Sequence, residues 1–319
     1  MSPANVLDRY YLAITFLVTT GYQLLGFAIA WTFQFDKITD FTGGSNFFIL
    51  ALLTLCLGNT YNARNIVASV FVMVWATRLA GFLLFRVLKT GSDTRFDDIR
   101  SHFFKFLAFW VGQIIWVWTA SLPLIILNSP SVSAHSQPAF GTSKDITGIV
   151  LWSLGWAIES IADFQKFAHK STKPPKDIPI QYGLWKYSRH PPYFGEILLW
   201  WGLWILTISP STNNVGDLPQ STKSAQFGSV VGPLLTMIIL IFGSGLPTAE
   251  KPTAKKFYEM SKDPEYPNAW TNYQEYLART SILVPLPPSL YSRLPQFVKW
   301  GLGDWNIWKY EPEKDGQDV

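Results

Sequence analysis

Residues 10–31 read YYLAITFLVTTGYQLLGFAIAW and contain no Asp, Glu, Lys or Arg. A helix crosses the hydrocarbon core of a bilayer with about 20 predominantly apolar residues, so this stretch is long enough to span a membrane once. Over the whole chain only 15% of the residues are charged, whereas a soluble domain carries about a quarter. The sequence therefore predicts a protein that resides in a membrane rather than in water.

Apolar blocks of this kind recur along most of the chain. We expect about seven of them to cross the membrane, and we therefore predict an all-α fold, a polytopic membrane helix bundle with about seven transmembrane helices. The blocks cover residues 10–31, 46–57, 66–88, 103–127, 146–167, 194–208 and 230–246.

The end of the chain differs from the blocks that precede it. A proline-rich break is followed by several aromatic residues, and amphipathic rings favour the depth of the lipid headgroups. We expect a membrane-embedded domain over residues 1–285 and an interfacial aromatic tail with an acidic C-terminus over residues 286–319. The aromatic residues of this tail include Trp300, Trp305, Trp308 and Tyr310.

The distribution of basic residues predicts which loops face the cytosol, because short loops rich in Lys and Arg tend to stay cytoplasmic. Residues 166–189 carry six Lys or Arg, whereas residues 128–143 carry none. We expect the basic loop and the C-terminus to face the cytosol. The single cysteine, Cys56, excludes an intramolecular disulfide and a metal site built from thiolates. We expect no metal and no nucleic acid among the partners.

Ionisable residues inside the fifth apolar block are candidates for function. Glu159, Asp163, Lys166 and Lys170 are separated by four, three and four positions, so they share one face of a helix. Charges within a membrane span are costly and are often functional, although buried charges also pair with one another for structure alone. The stripe is either a ladder of ion pairs or a polar groove for a cofactor.

The stretch GLWKYSRHPPYFGE, residues 183–196, predicts a second polar site. Its two prolines mark the start of a helix, because proline is favoured in the first turn. The unpaired N–H groups of a helix N-terminus attract phosphate, and Arg189 and His190 stand directly before it. Tyr193 and Glu196 follow at helical spacing. We predict a phosphate-binding corner at the membrane surface, for either a cofactor or a lipid headgroup.

Two further sets of residues are candidates. Arg78 lies within the third apolar block, where it either contacts substrate or completes an ion pair. In the polar region after the seventh block, Tyr273, Tyr276 and Arg279 lie on one helical face. We expect this region to close over the basic corner as a cytosolic cap.

Several segments together resemble the DUF1295 family, which is related to the C-terminal domain of steroid 5α-reductases and more distantly to sterol reductases. They are residues 182–202, the loop at 91–96, Asp163 with Lys166, and the ending YLARTSILVP at 276–285. The Arg-His-Pro-x-Tyr-x-Gly core also occurs in isoprenylcysteine carboxyl methyltransferases and phospholipid methyltransferases. The glutamate after the glycine is typical of the reductase branch.

The resemblance implies NADPH-dependent reduction of a carbon–carbon double bond, often a conjugated one, in a lipid or steroid-like substrate of the bilayer. By analogy with lipid reductases, the expected location is the endoplasmic reticulum, with the active site facing the cytosol. Glu196 and Tyr193 are the candidate catalytic residues, and Trp75, which stands where steroid 5α-reductases have a tyrosine, joins Arg78 as a substrate contact. The residues expected to bind NADPH are Asp163, Lys166, Lys170, Tyr187, Arg189, His190, Tyr193, Glu196, Tyr273, Tyr276 and Arg279.

Two other classes of function remain open at this point. The same corner is suited to S-adenosylmethionine in a methyltransferase of a lipid or prenylated substrate. A non-enzymatic lipid-binding protein would use it for headgroups alone. No Gly-x-Gly-x-x-Gly fingerprint follows a strand pattern, so we expect no Rossmann domain and a nucleotide held within the helix bundle.

Overall fold

The computed structural model describes residues 3–34, 38–59, 61–90, 99, 101–212 and 217–315, with the backbone alone for 83–90 and 314–315. Within these residues the chain is helical and forms no strand beyond isolated bridges, which confirms the predicted all-α class. The helices are α1 (Leu12–Thr32), α2 (Thr39–Gly58), α3 (Ala63–Thr90), α4 (Phe103–Asn128), α5 (Pro130–Ser133), α6 (Ser143–Ser171), α7 (Pro191–Thr207), α8 (Ser209–Thr212), α9 (Gln220–Gly228), α10 (Val231–Phe242), α11 (Leu246–Met260), α12 (Ala269–Arg279), α13 (Pro288–Tyr291), α14 (Gln296–Gly301) and α15 (Pro312–Asp315).

The described part of the chain has five helical stretches that are long and apolar enough to cross a membrane. The number seven is not confirmed, since α7 has only 17 residues and α6 carries the charged stripe in its second half. The helix α2 begins at Thr39, before the predicted start at residue 46, because Thr39 and Thr42 turn inward. The five stretches are Leu12–Thr32, Thr39–Gly58, Ala63–Phe82, Phe103–Ser133 and Gln220–Met260.

The chain forms two compact units. The first comprises Met1–Trp152 and Trp200–Thr236, and the second comprises Ser153–Leu199 and Met237–Val319. The predicted tail after residue 285 therefore belongs to the second unit.

Aromatic rings fill the core of the first unit. Phe47 of α2 packs at centroid distances of 5.1 Å from Trp75, 5.0 Å from Trp116 and 5.4 Å from Trp200. Trp75 and Trp200 also meet edge to face at 5.0 Å. Such tilted and edge-to-face contacts suit the quadrupoles of the rings, so this cluster joins α2, α3, α4 and the second half of α7.

A buried ion pair joins the start of α3 to the start of α6 in the first unit. Arg64 Nε donates to Asp145 Oδ1 at 2.7 Å, and the two side chains are 2% and 0% exposed. A second guanidinium nitrogen donates to Asp145 Oδ2 at 2.8 Å and to the carbonyl of Pro138 at 3.3 Å. Burial opposes the charge of Asp145, but the hydrogen bond and charge of Arg64, together with the backbone N–H groups of Thr142 and Gly141, outweigh burial and lower its pKa. The pair is therefore bidentate and shielded from solvent.

Glycines let α6 and α7 approach closely. In the second unit, a Cβ on Gly155 would lie 2.5 Å from the carbonyl oxygen of Gly195, and one on Gly195 would lie 2.8 Å from the backbone nitrogen of Glu159. In the first unit, Gly148 and Gly202 make the same kind of contact. Small residues of this kind permit close packing between membrane helices.

The core of the second unit contains residues that the sequence placed at the membrane interface. Tyr310 is 8% exposed and packs with the rings around Phe257 and Tyr273, which stack at 4.7 Å. Trp308 is 7% exposed and packs against Leu246. The tail is thus folded onto the protein at these two positions, because rings beside α11 and α12 offer it an apolar surface.

Candidate functional site

The segment between α6 and α7 is attached to the end of α6 within the second unit. Leu184 N donates to Gln165 Oε1 at 2.8 Å, and Trp185 Nε1 donates to the carbonyl of Ala162 at 2.9 Å. Lys166 lies 4.7 Å from the ring centroid of Trp185. These contacts confirm the proximity of the charged stripe to the Arg-His segment that the sequence suggested.

The same segment is held from its other side by the residues around the end of α12. Arg189 N donates to the carbonyl of Ser281 at 2.8 Å, and Ser188 Oγ donates to the carbonyl of Leu283 at 2.8 Å. The hydroxyl of Tyr276 donates to the carbonyl of Trp185 at 2.9 Å. The predicted cap therefore contacts the start of α7.

An ion cluster surrounds Arg189. Its two terminal nitrogens donate to Glu250 Oε2 at 2.6 Å and to Asp304 Oδ1 at 2.8 Å, and the guanidinium is 5% exposed. The second oxygen of Glu250 lies 2.5 Å from His190 Nε2, and the second oxygen of Asp304 accepts a hydrogen bond of 2.6 Å from the hydroxyl of Tyr291. Arg189 is therefore bound to two carboxylates, whereas the sequence suggested that it was available to phosphate.

The electrostatics of this cluster differ from those of a phosphate site. Burial opposes the charge of Arg189, but the carboxylates of Glu250 and Asp304 outweigh burial and raise its pKa. Burial also lowers the pKa of His190 in spite of its hydrogen bond with Glu250. With His190 neutral, the guanidinium of Arg189 is bound by two carboxylates, and the nearby charge of Lys166 also lowers the pKa of His190. The positive charge predicted for the start of α7 is therefore already balanced by the carboxylates of the protein.

The two candidate catalytic residues lie on α7 next to this cluster. The ring of Tyr193 stacks on that of His190 with a centroid distance of 5.1 Å and an interplanar angle of 3°. Tyr193, Glu196 and Asp163 are each partly buried, whereas Glu159 is only 3% exposed. Three carboxyl groups and a phenol thus lie on α6 and α7, which approach closely at Gly195 and Glu159, and their chemical roles stay predictions.

Other members of the predicted cofactor set are exposed on the second unit. Lys166, Lys170, Tyr187 and Arg279 are all exposed. Arg279 donates to Gln181 Oε1 at 2.8 Å and lines an open cleft of about 600 Å³. The remaining lining residues of this cleft are His169, Ile178, Pro179, Gln181, Tyr182, Asn272 and Glu275.

Four other predicted residues are interior. Tyr273 and Tyr276 are 3% and 5% exposed, and burial raises the pKa of each phenol, so both remain protonated. Trp75, 1% exposed, belongs to the aromatic cluster of the first unit. Arg78 of α3 is partly buried in that unit. The loop at residues 91–96, which contributed to the resemblance, lies outside the described residues.

Three residues of the ion cluster were missed from the sequence. Glu250 is separated from Arg189 by 61 positions and Asp304 by 115, and neither stands in a pattern that marks a partner. Tyr291 follows a proline-rich stretch that suggested only the end of a helix. An unpaired buried arginine requires carboxylates nearby, and that requirement was the one available signal for an acidic partner.

The five helical stretches of the described residues that are able to cross a membrane define a polytopic membrane protein of the all-α class. A family model described as a protein of unknown function (DUF1295) matches residues 26–270. The chain belongs to the DUF1295 family. No curated protein and no solved structure matches it. Tyr291 and Asp304 lie beyond the matched residues.

Proposed function

We propose that this membrane protein is an NADPH-dependent reductase of a carbon–carbon double bond, conjugated to a carbonyl, in a lipid or steroid-like substrate. The proposal is supported by family membership and by the resemblance of the 183–196 segment to the steroid 5α-reductases. It includes a location in the endoplasmic reticulum. The observation that carries it is the convergence of α6, the segment before α7, and α12 on one side of the second unit. These are the three separate segments that were expected to bind the cofactor.

The exposed cations and the cleft are suited to the phosphates and the base of a dinucleotide. Ligand sites typically measure about 300–1,000 Å³, and the cleft beside Arg279 is within that range at about 600 Å³. Lys166, Lys170 and Arg279 are assigned the phosphates, because the charge of Arg189 is already neutralised. NADPH would supply a hydride to the alkene. Glu196, partly buried on α7, would hold the proton for the second alkene carbon, with Tyr193 as the next candidate.

Titration of purified protein with NADPH in mild detergent tests the proposal. Removing the guanidinium in Arg279→Ala should weaken binding about tenfold, as expected for the loss of one charged hydrogen bond. Arg293→Ala, another exposed arginine of the second unit that does not line the cleft, is the matched control and should bind as the wild type does. Wild-type protein that does not bind NADPH would refute the proposal.

A methyltransferase that uses S-adenosylmethionine is the second candidate, and one specific observation favours it. Two carboxylates, those of Glu250 and Asp304, bind the single guanidinium of Arg189, and carboxylates of this kind suit a cationic ligand such as a sulfonium. A parallel titration with S-adenosylmethionine separates the two candidates. Binding of neither ligand would favour a non-enzymatic lipid-binding protein.

A further inference from the structure

One of the three guanidinium nitrogens of Arg189 has no hydrogen-bond partner among the described residues. Its terminal nitrogens are bound to Glu250 and Asp304, while Nε is buried and has no hydrogen-bond partner among the described residues. A buried donor without a partner costs about 1–3 kcal/mol. Such a group is therefore expected to bind a water molecule or a ligand atom.

Asp304 is itself held firmly by the C-terminal segment, residues 288–310. The hydroxyl of Tyr291 donates to its second oxygen at 2.6 Å, and its backbone nitrogen donates to the carbonyl of Lys299 at 3.0 Å. On the other side, Trp305 stacks on Phe242 of α10 at 5.3 Å. Asp304 is thus fixed by hydrogen bonds within the C-terminal segment, which itself packs on α10 through Trp305.

The two carboxylates have different consequences for the site. Glu250 binds both Arg189 and His190, so changing it disturbs two residues. Asp304 binds Arg189 and Tyr291 only, in the described part of the chain. A guanidinium is planar, and bonds from its two terminal nitrogens to two separate carboxylates fix the direction of the Nε–H.

We propose that Asp304 is a positioning residue for the ligand site, and that the C-terminal segment is part of that site. Asp304 and Glu250 orient the guanidinium so that its Nε–H points to the bound ligand as a hydrogen-bond donor. The positive charge of the guanidinium is already neutralised by these two carboxylates. The inference takes the identity of the ligand, NADPH, from the proposed function. The orientation of Arg189 by Asp304 does not depend on that identity.

The test compares two buried aspartates in the full-length protein. Asp304→Asn removes one charge from the Arg189 cluster, and Asp145→Asn removes one from the buried pair with Arg64 in the first unit. Both variants should melt at a lower temperature than the wild type. Only Asp304→Asn should accelerate amide hydrogen exchange of the 186–194 peptide without ligand, and only it should raise the Kd for NADPH, by about tenfold.

Two further variants guard against misfolding and nonspecific effects. Tyr291→Phe removes one hydrogen bond to Asp304 and should give the same changes at smaller size. Asp304→Glu keeps the carboxylate and should restore both exchange and affinity toward wild-type values. If Asp304 only stabilised the fold, the affinity for NADPH would follow the melting temperature, and Asp304→Glu would not bind NADPH more tightly than an Asp304→Asn protein of equal melting temperature.

The outcomes separate this inference from the proposed function. Unchanged exchange of the 186–194 peptide in Asp304→Asn would overturn the positioning role, whatever the ligand is. Faster exchange with a Kd equal to that of Asp145→Asn would overturn the link between Asp304 and the ligand. Absence of NADPH binding to the wild type would refute the proposed function alone, and the exchange comparison would still decide whether Asp304 positions Arg189.

Discussion

Replacing Gly155 by alanine tests whether α6 and α7 need their close approach. The added Cβ would lie 2.5 Å from the carbonyl oxygen of Gly195, 2.6 Å from the backbone nitrogen of Leu199 and 3.0 Å from its Cβ. Two of these three atoms belong to the backbone of a helix, so no side-chain rotation relieves the contact. Ordinary van der Waals contact of a Cβ begins at 3.4 Å. The helices must therefore separate locally by about 0.9 Å, the difference between 3.4 and 2.5 Å.

Overpacking of this kind typically costs about 1–3 kcal/mol. Gly112→Ala on α4 is the control, because a Cβ there meets nothing within 4 Å. Alanine in a helix interior is favoured over glycine by roughly 0.5–1 kcal/mol, so the control should melt at or above the wild-type temperature. We expect Gly155→Ala to melt below the wild type in detergent. Equal melting of both variants would refute the argument that these glycines set the helix spacing.

Three other predictions concern the site and its surroundings. Arg189→Ala should lower the free energy of unfolding by about 3–5 kcal/mol, because it leaves two buried carboxylates without their cation. Arg279→Ala, which removes an exposed arginine, is the control, and equal melting temperatures of the two variants would refute a stabilising role of the cluster. Glu196→Gln should stay folded and bind NADPH but lose lipid reduction; wild-type turnover would move the proton to Tyr193. The folded-state pKa of His190 is depressed below its usual 6.5, so its neutral form is favoured by folding and stability should fall as pH drops below about 6.5. His190→Gln should flatten that fall in melting temperature, and an equally steep fall would exclude His190 as its source.

The membrane class and the proximity of the charged stripe to the Arg-His segment could be predicted from the sequence because both are local patterns. Long apolar blocks identified the helices. The segment between α6 and α7 is short, so it had to remain near the end of α6. The apolar block that starts at residue 46 missed the first turns of α2, because Thr39 and Thr42 are polar in composition yet face inward.

The partners of Arg189 could not be predicted, because they depend on the packing of distant segments. A cationic side chain before a helix start suggests phosphate binding only if no protein carboxylate reaches it first. Glu250 and Asp304 reach it from α11 and from the C-terminal segment. For the same reason, the burial of Trp308 and Tyr310 was missed, since the apolar surface that covers them is formed by helices far away in sequence.

The ion pair of Arg64 and Asp145 has a consequence for the order of biosynthesis. The two residues are 81 positions apart, so at 5–20 residues per second the ribosome adds Asp145 roughly 4–16 s after Arg64. During that interval the guanidinium of Arg64 lacks its partner Asp145, and burying the unpaired guanidinium is unfavourable. The start of α3 should therefore remain in water until α6 emerges. In a Cys56→Ser background, stalled nascent chains that carry Asn62→Cys and end before residue 145 should be labelled by a water-soluble thiol reagent, and longer chains should be protected. Equal labelling of both lengths would rule out this sequence of events.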